Sequence, residues 1–286
     1  MNRNIIYIIV ALLGLFVAAN GYAQTKYSGI IADSTAYIVI SQPSEITKNA
    51  KLIDNDLSRF PYLKIADTLL LLSTDTVKDV IAFTLPEEMY DCEDLFFIDT
   101  IIIGKVGDRI KQYDGEKVST IMIMPDDNYD IYPADFGYIY IVRHDADTSS
   151  VILLELSTVR YVTLFKTPFH IDNLVGDGFE CYVSAGIMMF YFTEKDYLPV
   201  VVGESTIQSI ATYEGGVFFS TQNACYFMGE KAQSYPFLLG NIKQLMLIDN
   251  RLYLLFNNGL LSVIDNADGY RRLLEEAVKE INTEEK

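Results

Sequence analysis

Residues 207–231 read IQSIATYEGGVFFSTQNACYFMGEK, and residues 242–266 read IKQLMLIDNRLYLLFNNGLLSVIDN. Laid over each other at an offset of 35 with no gap, Ile207 falls on Ile242, Ile210 on Leu245, Val217 on Leu252, Phe218 on Tyr253 and Cys225 on Leu260. Each copy has an apolar strand, a tight polar step, a second strand, a short turn and a third strand. In the second copy the turn is Asn258-Gly259, between LYLLF and LLSVI. Asn-Gly between apolar runs is a strong hairpin signal, because a two-residue turn needs positive φ at both central residues. Thr221-Gln222-Asn223 holds the same place one unit earlier. Self-similarity at a fixed period marks a repeat architecture.

The unit can be traced backwards. TIIIGKVGDRIKQYDG at 100–115, GYIYIVRHDADTSSVILLEL at 137–156 and FECYVSAGIMMFYF at 179–192 each read as a hairpin. TLLLLSTDTVKDVIAF at 68–83 and TAYIVI at 35–40 fit more loosely. Second strands then start near 37, 69, 101, 138, 179, 217 and 252, in steps of 32 to 41 residues. Seven anchors predict an all-β fold, a single β-propeller of seven small blades, with six the alternative count. A unit of three or four strands is too small to bury its own faces. Stacked radially, such sheets cover one another and leave only short edges. Continuous apolar runs such as LLLL and LYLLF fit strands covered on both faces.

After Asp265 the pattern changes. Leu273, Leu274, Ala277, Val278 and Ile281 recur at helical spacing with charged residues between them, which predicts a C-terminal amphipathic helix over 270–286. Its role would be to cap apolar surface or to dock a partner. The last blade would then lack an outer strand, and the first mature strand, Tyr27 to Ile31, is the expected donor.

The chain opens with Arg3, an uncharged apolar run from Ile5 to Ala19, and small residues at Gly21 and Ala23. That is the layout of a signal peptide cleaved after Ala23. The run is shorter than the roughly 20 residues a spanning helix needs. The expected organisation is a signal peptide at 1–23, a propeller at 24–269 and a helix at 270–286, with an extracytoplasmic address: periplasm, cell surface or secreted. No later stretch is long and apolar enough to predict a transmembrane span in the mature chain.

The net charge is −17, and loss of Arg3 takes it to −18. Such a field repels phosphate backbones, so nucleic acid is not an expected partner. Cys92, Cys181 and Cys225 are too few, and odd in number, for a disulfide framework.

The units at 213–229 and 249–264 resemble the propeller repeats of bacterial sensor ectodomains, which carry a strand, a short Asn-Gly type turn and a strand ending in an aromatic and an Asp. The resemblance implies a propeller. That family also has a Trp in the first strand, and this chain has none. The stretch after the last unit resembles neither a membrane span nor a kinase, so no sensor role is implied.

Catalytic equipment is thin. His144 lies in RHDADTSS, read as a solvated turn, and His170 in PFHID, where Asp172 two residues on would share its strand face. There is no Gly-x-Ser-x-Gly, His-x-x-x-His or Cys-x-x-Cys motif. Asp126-Asp127-Asn128-Tyr129-Asp130 begins like a calcium loop, but Ile131 and Gly137 stand where Gly and Glu are needed. No cofactor or metal site is therefore assigned, and calcium lacks a full motif. Glu87, Glu88, Asp126, Asp127 and Glu204 all fall 11 to 15 residues before an anchor. If the repeat holds, they share one face as an acidic rim, with Tyr90 and Tyr129 beside them. The expected function is a non-catalytic binding or scaffold module for a protein or glycan at the cell envelope. The alternatives are a hydrolase or lyase using those carboxylates, or a subunit of an envelope assembly.

Overall fold

The computed structural model describes residues 36–41, 44–54, 60–72, 81–134, 137–194, 196–202, 205–213, 216–229, 234–269 and 271–272. Strand β1 (Ala36–Ser41) is followed by a single helical turn, α1 (Glu45–Lys48), whose N-cap Ser44 accepts from the Thr47 amide. Four sheets of four strands follow. The first holds β2 (Lys51–Ile53), β3 (Tyr62–Ile65), β4 (Thr68–Leu71) and β5 (Ile81–Thr84); the second β6 (Leu95–Ile98), β7 (Ile101–Val106), β8 (Arg109–Tyr113) and β9 (Val118–Ile123). The third holds β10 (Tyr129–Pro133), β11 (Tyr138–Asp145), β12 (Thr148–Glu155) and β13 (Arg160–Thr167); the fourth β14 (Asn173–Asp177), β15 (Glu180–Ala185), β16 (Met188–Phe192) and β17 (Tyr197–Val202). The fifth is β18 (Ser209–Tyr213), β19 (Gly216–Ser220), β20 (Ala224–Gly229) and β21 (Ser234–Leu239). In the sixth, β22 (Ile242–Ile248), β23 (Arg251–Phe256) and β24 (Leu261–Asp265) are completed by β1 in the order β22-β23-β24-β1. Every pairing is antiparallel. This is a six-bladed β-propeller.

Two compact units divide the chain. The larger holds the first four sheets and the smaller the last two, with β1. In the larger unit the cores lie between successive sheets. Phe96, Ile103 and Ile110 pack with Tyr129, Ile131 and Ile141, and Tyr140, Val142 and Leu153 pack with Leu174, Val183 and Phe190. In the smaller unit Phe218, Cys225 and Phe227 pack with Leu245, Leu252 and Phe256. These strands are apolar in continuous runs because both faces are covered.

Six blades replace the expected seven, and β1 explains the difference. Residues near 37 belong to no separate blade; β1 pairs antiparallel with β24, Tyr37 opposite Ile264 and Ile38 opposite Val263. Exchange between the chain ends is thus present, but AYIVIS performs it. Tyr27–Ile31 lies outside the described residues. The anchor near 69 falls on β4, a third strand; the second strand of that sheet is the four-residue β3. The other five anchors start second strands to within a residue.

The C-terminal amphipathic helix is also corrected. Among the described residues after β24, helical backbone covers only 267–269 and 271–272, so no substantial helix follows β24 there. Leu273, Leu274, Ala277, Val278 and Ile281 lie outside them. What holds the chain after β24 is a turn: Asn250 bonds Asn266 and the Asp268 amide, and Asp268 takes Arg271 and Arg272.

The 35-residue repeat slips by one residue at its hairpin. Ser220 pairs with Cys225, whereas Leu255 pairs with Leu261, so Cys225 corresponds to Leu261. Asn258-Gly259 is not a two-residue turn. Only Gly259 has positive φ (85°), and its amide bonds the Phe256 carbonyl while the Phe256 amide bonds Leu260. That is a type I turn followed by a left-handed glycine. A side chain at 259 would also collide with Ser44 and Thr47.

Candidate functional site

Hydrogen bonds within the larger unit show that the entry ends of β2, β6, β10 and β14 share one face. The Lys51 ammonium donates to the Glu93 carbonyl just before β6. Asp94, next along, accepts from the Ile131 amide of β10 at 3.2 Å. Asp130 of β10 accepts from His144 at the end of β11, and the ring of His144 lies 4.0 Å from that of His170, just before β14. The connections entering β6 and β10 therefore lie on the same face of this unit.

Glu87 and Glu88 open a 3₁₀ turn (Glu87–Met89) that runs from β5 toward β6 and points both carboxylates outward, while Met89 is buried. Asp126 and Asp127 occupy the same position between β9 and β10 and are exposed. The β7–β8 and β11–β12 turns add exposed Asp108, Asp145 and Asp147 to this face. Tyr90 is exposed beside Glu87. Tyr129, expected beside Asp127, is instead buried at 1% exposure, under the Lys105 ammonium 5.0 Å from its ring centre. Its hydroxyl is buried without a hydrogen-bond partner among the described residues, and burial raises its pKa, with Asp108, Asp94 and Glu93 adding to the effect. Glu204 lies outside the described residues.

Behind the acids lies a polar network that the sequence pattern did not reveal. His144 is buried on β11, not solvated in a turn. Its Nε2 is 2.9 Å from Asp130 Oδ2 and its Nδ1 3.0 Å from Ser149 Oγ. The Ile171 amide donates to the same Ser149 Oγ, which leaves the hydroxyl hydrogen for Nδ1, so Nε2–H donates to Asp130. Asn128 closes the set, bonding the His144 amide and carbonyl. Burial alone would raise the Asp130 pKa; the hydrogen bond and charge of His144 outweigh it and hold that carboxyl below its usual range. Asp94 is raised, first by burial and then by the Asp130 charge. Lys105, itself buried, pairs with Glu93 at 2.5 Å.

A serine, a histidine and an aspartate in line invite comparison with a nucleophile, base and orienting acid. Burial decides against that. Ser149 is 1% exposed and its oxygen already accepts a main-chain amide, so no substrate reaches it. The network instead ties β10, β11 and β12 to the segment entering β14. A satisfied buried polar network specifies one packing arrangement. The alternation Tyr140, Val142, His144 along β11 was the available signal, since period two puts His144 on the inward face.

The calcium-like run is spent in three directions: Asp126 on the Asn128 amide, Asn128 on His144, and Asp130 on the imidazole. Among the described residues no group of three or more His, Cys, Asp or Glu is placed to hold a metal ion. Cys92, Cys181 and Cys225 are free and buried. No helix among the described residues is long and apolar enough to cross a membrane.

No protein-family model matches the chain, and no curated protein matches it. Solved structures do. A regucalcin from Agrobacterium tumefaciens str. C58, described as a calcium-binding protein, is 11% identical, with 80% of this chain and 92% of that one covered and a TM-score of 0.58. The WD40 β-propeller domain of Doa1 is 11% identical, with 83% and 97% covered and a TM-score of 0.54. The extracellular domain of the putative one-component system BT4673 from B. thetaiotaomicron is 12% identical over 74% of this chain, with a TM-score of 0.53. The match covers only 32% of that domain. At these identities the likeness establishes the β-propeller fold and nothing finer.

Proposed function

We propose that this chain is an exported, non-catalytic binding propeller whose acidic entry face takes a protein partner rich in Lys and Arg. The observation that supports this reading is that Glu87-Glu88 and Asp126-Asp127 are exposed in the two successive connections that enter β6 and β10. Loops joining equivalent strands of a rigid scaffold are where propellers and other repeat folds place binding residues. Asp147 widens the same field, while Asp108 and Asp145 are paired with Arg109 and Arg143; the field would speed encounter with a cationic surface and weaken with salt. The leader-like first 23 residues support export, and a related fold in an extracellular bacterial domain fits that address. The sealed Ser149–His144–Asp130 network favours binding over catalysis at this face.

The test is capture from envelope and secreted fractions with the tagged chain, beside a variant carrying Glu87→Gln, Glu88→Gln, Asp126→Asn and Asp127→Asn. A partner held by the native chain, released by salt and lost on neutralisation supports the reading. A partner held equally by both baits sinks the acidic face as the binding surface.

A further inference from the structure

A second surface in the larger unit has different chemistry. Strand β13 is the outer edge of its sheet, and at eight residues it is the longest edge strand described. Proteins blunt such edges with proline, charge or brevity. The edge strands β17 and β21 contain Pro199 and Pro236, and β5 has four residues. β13 has no proline. Its first four residues are all exposed, with Tyr161 at 65%, and Val159 precedes them in the open.

At that end of β13 lies a cavity of about 370 Å³, within the roughly 300–1,000 Å³ range of ligand pockets. The register fixes its walls. Tyr138, Glu155 and Arg160 lie in one cross-strand row and Leu153 and Val162 in the next, so all five share one face of the sheet. Opposite stands the end of β14 and the β14–β15 turn, with exposed Asp177 and Phe179, and the Tyr140 hydroxyl donates to the Gly178 carbonyl beneath. The charges of β13 are Arg160 and Lys166, both basic, in a chain of net charge −17. The Arg160 guanidinium forms no ion pair or hydrogen bond among the described residues, though, after the Thr158 and Ser157 hydroxyls, its charge helps to lower the pKa of Glu155, its ladder partner. Glu155, beside it, has its carboxylate taken by the Ser157 and Thr158 hydroxyls.

We infer that β13 accepts an extended peptide of a partner protein as a fifth strand, with an acidic residue opposite Arg160 and a bulky apolar residue, two positions away, opposite Val162 and inside the cavity. The two-residue spacing follows from strand geometry: side chains opposite Arg160 and Val162 fall on the same face and point toward Phe179. Main-chain bonds to the free edge would give affinity, and the cavity and Arg160 would select sequence. The mainly apolar walls favour a side chain over a sugar ring. Pairing of β13 with the β13 of a second copy would set the basic Arg160 and Lys166 of one edge against those of the other. This surface is separate from the acidic entry face, and neither reading depends on the other.

The probe is an acetylated eight-residue peptide of alternating threonine and valine, carrying one glutamate and, two positions on, one phenylalanine. Binding to the full chain is followed by fluorescence anisotropy. Saturable binding is expected, weakened about tenfold or more by Arg160→Glu and by Phe179→Ala. A peptide with lysine in place of glutamate should bind Arg160→Glu better than the native chain. That charge swap separates recognition from any damage to folding. The inference is overturned if the peptide does not bind, if Arg160→Glu binds both peptides like the native chain, or if a backbone-methylated peptide binds equally well. It is also overturned if sedimentation shows a dimer abolished by Tyr161→Glu, which would give the edge to a second copy. The variants leave Glu87, Glu88, Asp126 and Asp127 untouched, so the outcome does not bear on the acidic face.

Discussion

His144 donates from Nε2 to Asp130 across 2.9 Å, joining the second strand of the third sheet to its first. The bond sits where that sheet meets the segment entering the fourth, with Ser149 completing the imidazole's partners. His144→Ala would strand the Asp130 carboxylate and leave the buried Ser149 hydroxyl without its acceptor. The expected cost is about 1–3 kcal/mol, the ordinary penalty for unsatisfied buried groups. The ionic part is discounted because the Asp130 side chain is 38% exposed. Urea unfolding of His144→Ala, Asp130→Asn and the double variant measures it. Costs that simply add would mean the two residues do not act as a pair.

Asp130 and Asp94 should respond to pH with opposite signs. The folded pKa of Asp130 is depressed, so its contribution is present above the unfolded value of about 3.9 and is lost as pH falls through the folded value. The folded pKa of Asp94 is raised, so its contribution is full below about 3.9 and is lost as pH rises through the folded value. Asp94→Asn keeps an acceptor for the Ile131 amide and removes the buried charge. It should melt higher than the native chain at pH 7, by about 2–4 °C for each kcal/mol released. The advantage should vanish below about pH 4. A lower melting point at pH 7 would show that Lys105 and Lys51 already compensate the charge.

Strand β1 should be required for a soluble protein, while the residues before it should not. A chain starting at Ala36 keeps the fourth strand of the sixth sheet. A chain starting at residue 42 leaves β24, Leu261–Asp265, as an open edge of buried apolar residues. Such an edge is a template for aggregation. Static light scattering against concentration should rise for the second truncation and stay flat for the first.

The parts of this fold legible in the sequence were those built from long strands. β7, β11, β15 and β23 carry apolar runs of five residues or end in a glycine turn, β19 opens on Gly216, and all five starts were readable to within a residue. The first sheet was not, because β3 is four residues with Lys64 among them, while the stronger run Thr68–Leu71 is its third strand. Ala36–Ser41 looked like the start of a blade because pairing across the whole chain leaves no local mark. The exposure of Glu87, Glu88, Asp126 and Asp127 matches their place in polar connections between strand runs. The network behind them was not legible, because Asp130, His144, Ser149 and Ile171 meet only once three strands and a loop are aligned. Tyr129 was misplaced for a related reason: it lies beside Asp127 in sequence but begins β10, where alternation turns its ring inward.

Gly104 should tolerate no side chain. A Cβ there would strike the Cys92 sulfur and come within 2.9 Å of the Met89 terminal methyl. Both neighbours are buried in the core between the first and second sheets. Gly104→Ala should therefore cost about 1–3 kcal/mol through overpacking. Cys92→Ala removes the sulfur, so the double variant should be more stable than the two single losses predict. A cycle that closes additively would place the strain in the backbone instead.

The three thiols should stay silent until the fold opens. Cys92, Cys181 and Cys225 are buried, and burial pushes Cys92 and Cys181 up to about 12 and Cys225 higher still. The thiolate is the reactive form, so at pH 8 almost none is present even if reagent enters. An aromatic disulfide reagent should label no thiol of the native chain quickly and all three once guanidinium unfolds it. The slow native labelling rate should follow the unfolding rate as denaturant is raised. Fast labelling of one thiol in water would reveal a local opening, and alanine substitution at each cysteine in turn would identify the sheet that opens. Because Cys92 lies at the entry to the second sheet, Cys181 in the fourth and Cys225 in the fifth, the pattern would also tell whether the two compact units unfold together. Labelling of Cys225 ahead of the other two would make the smaller unit the first to open.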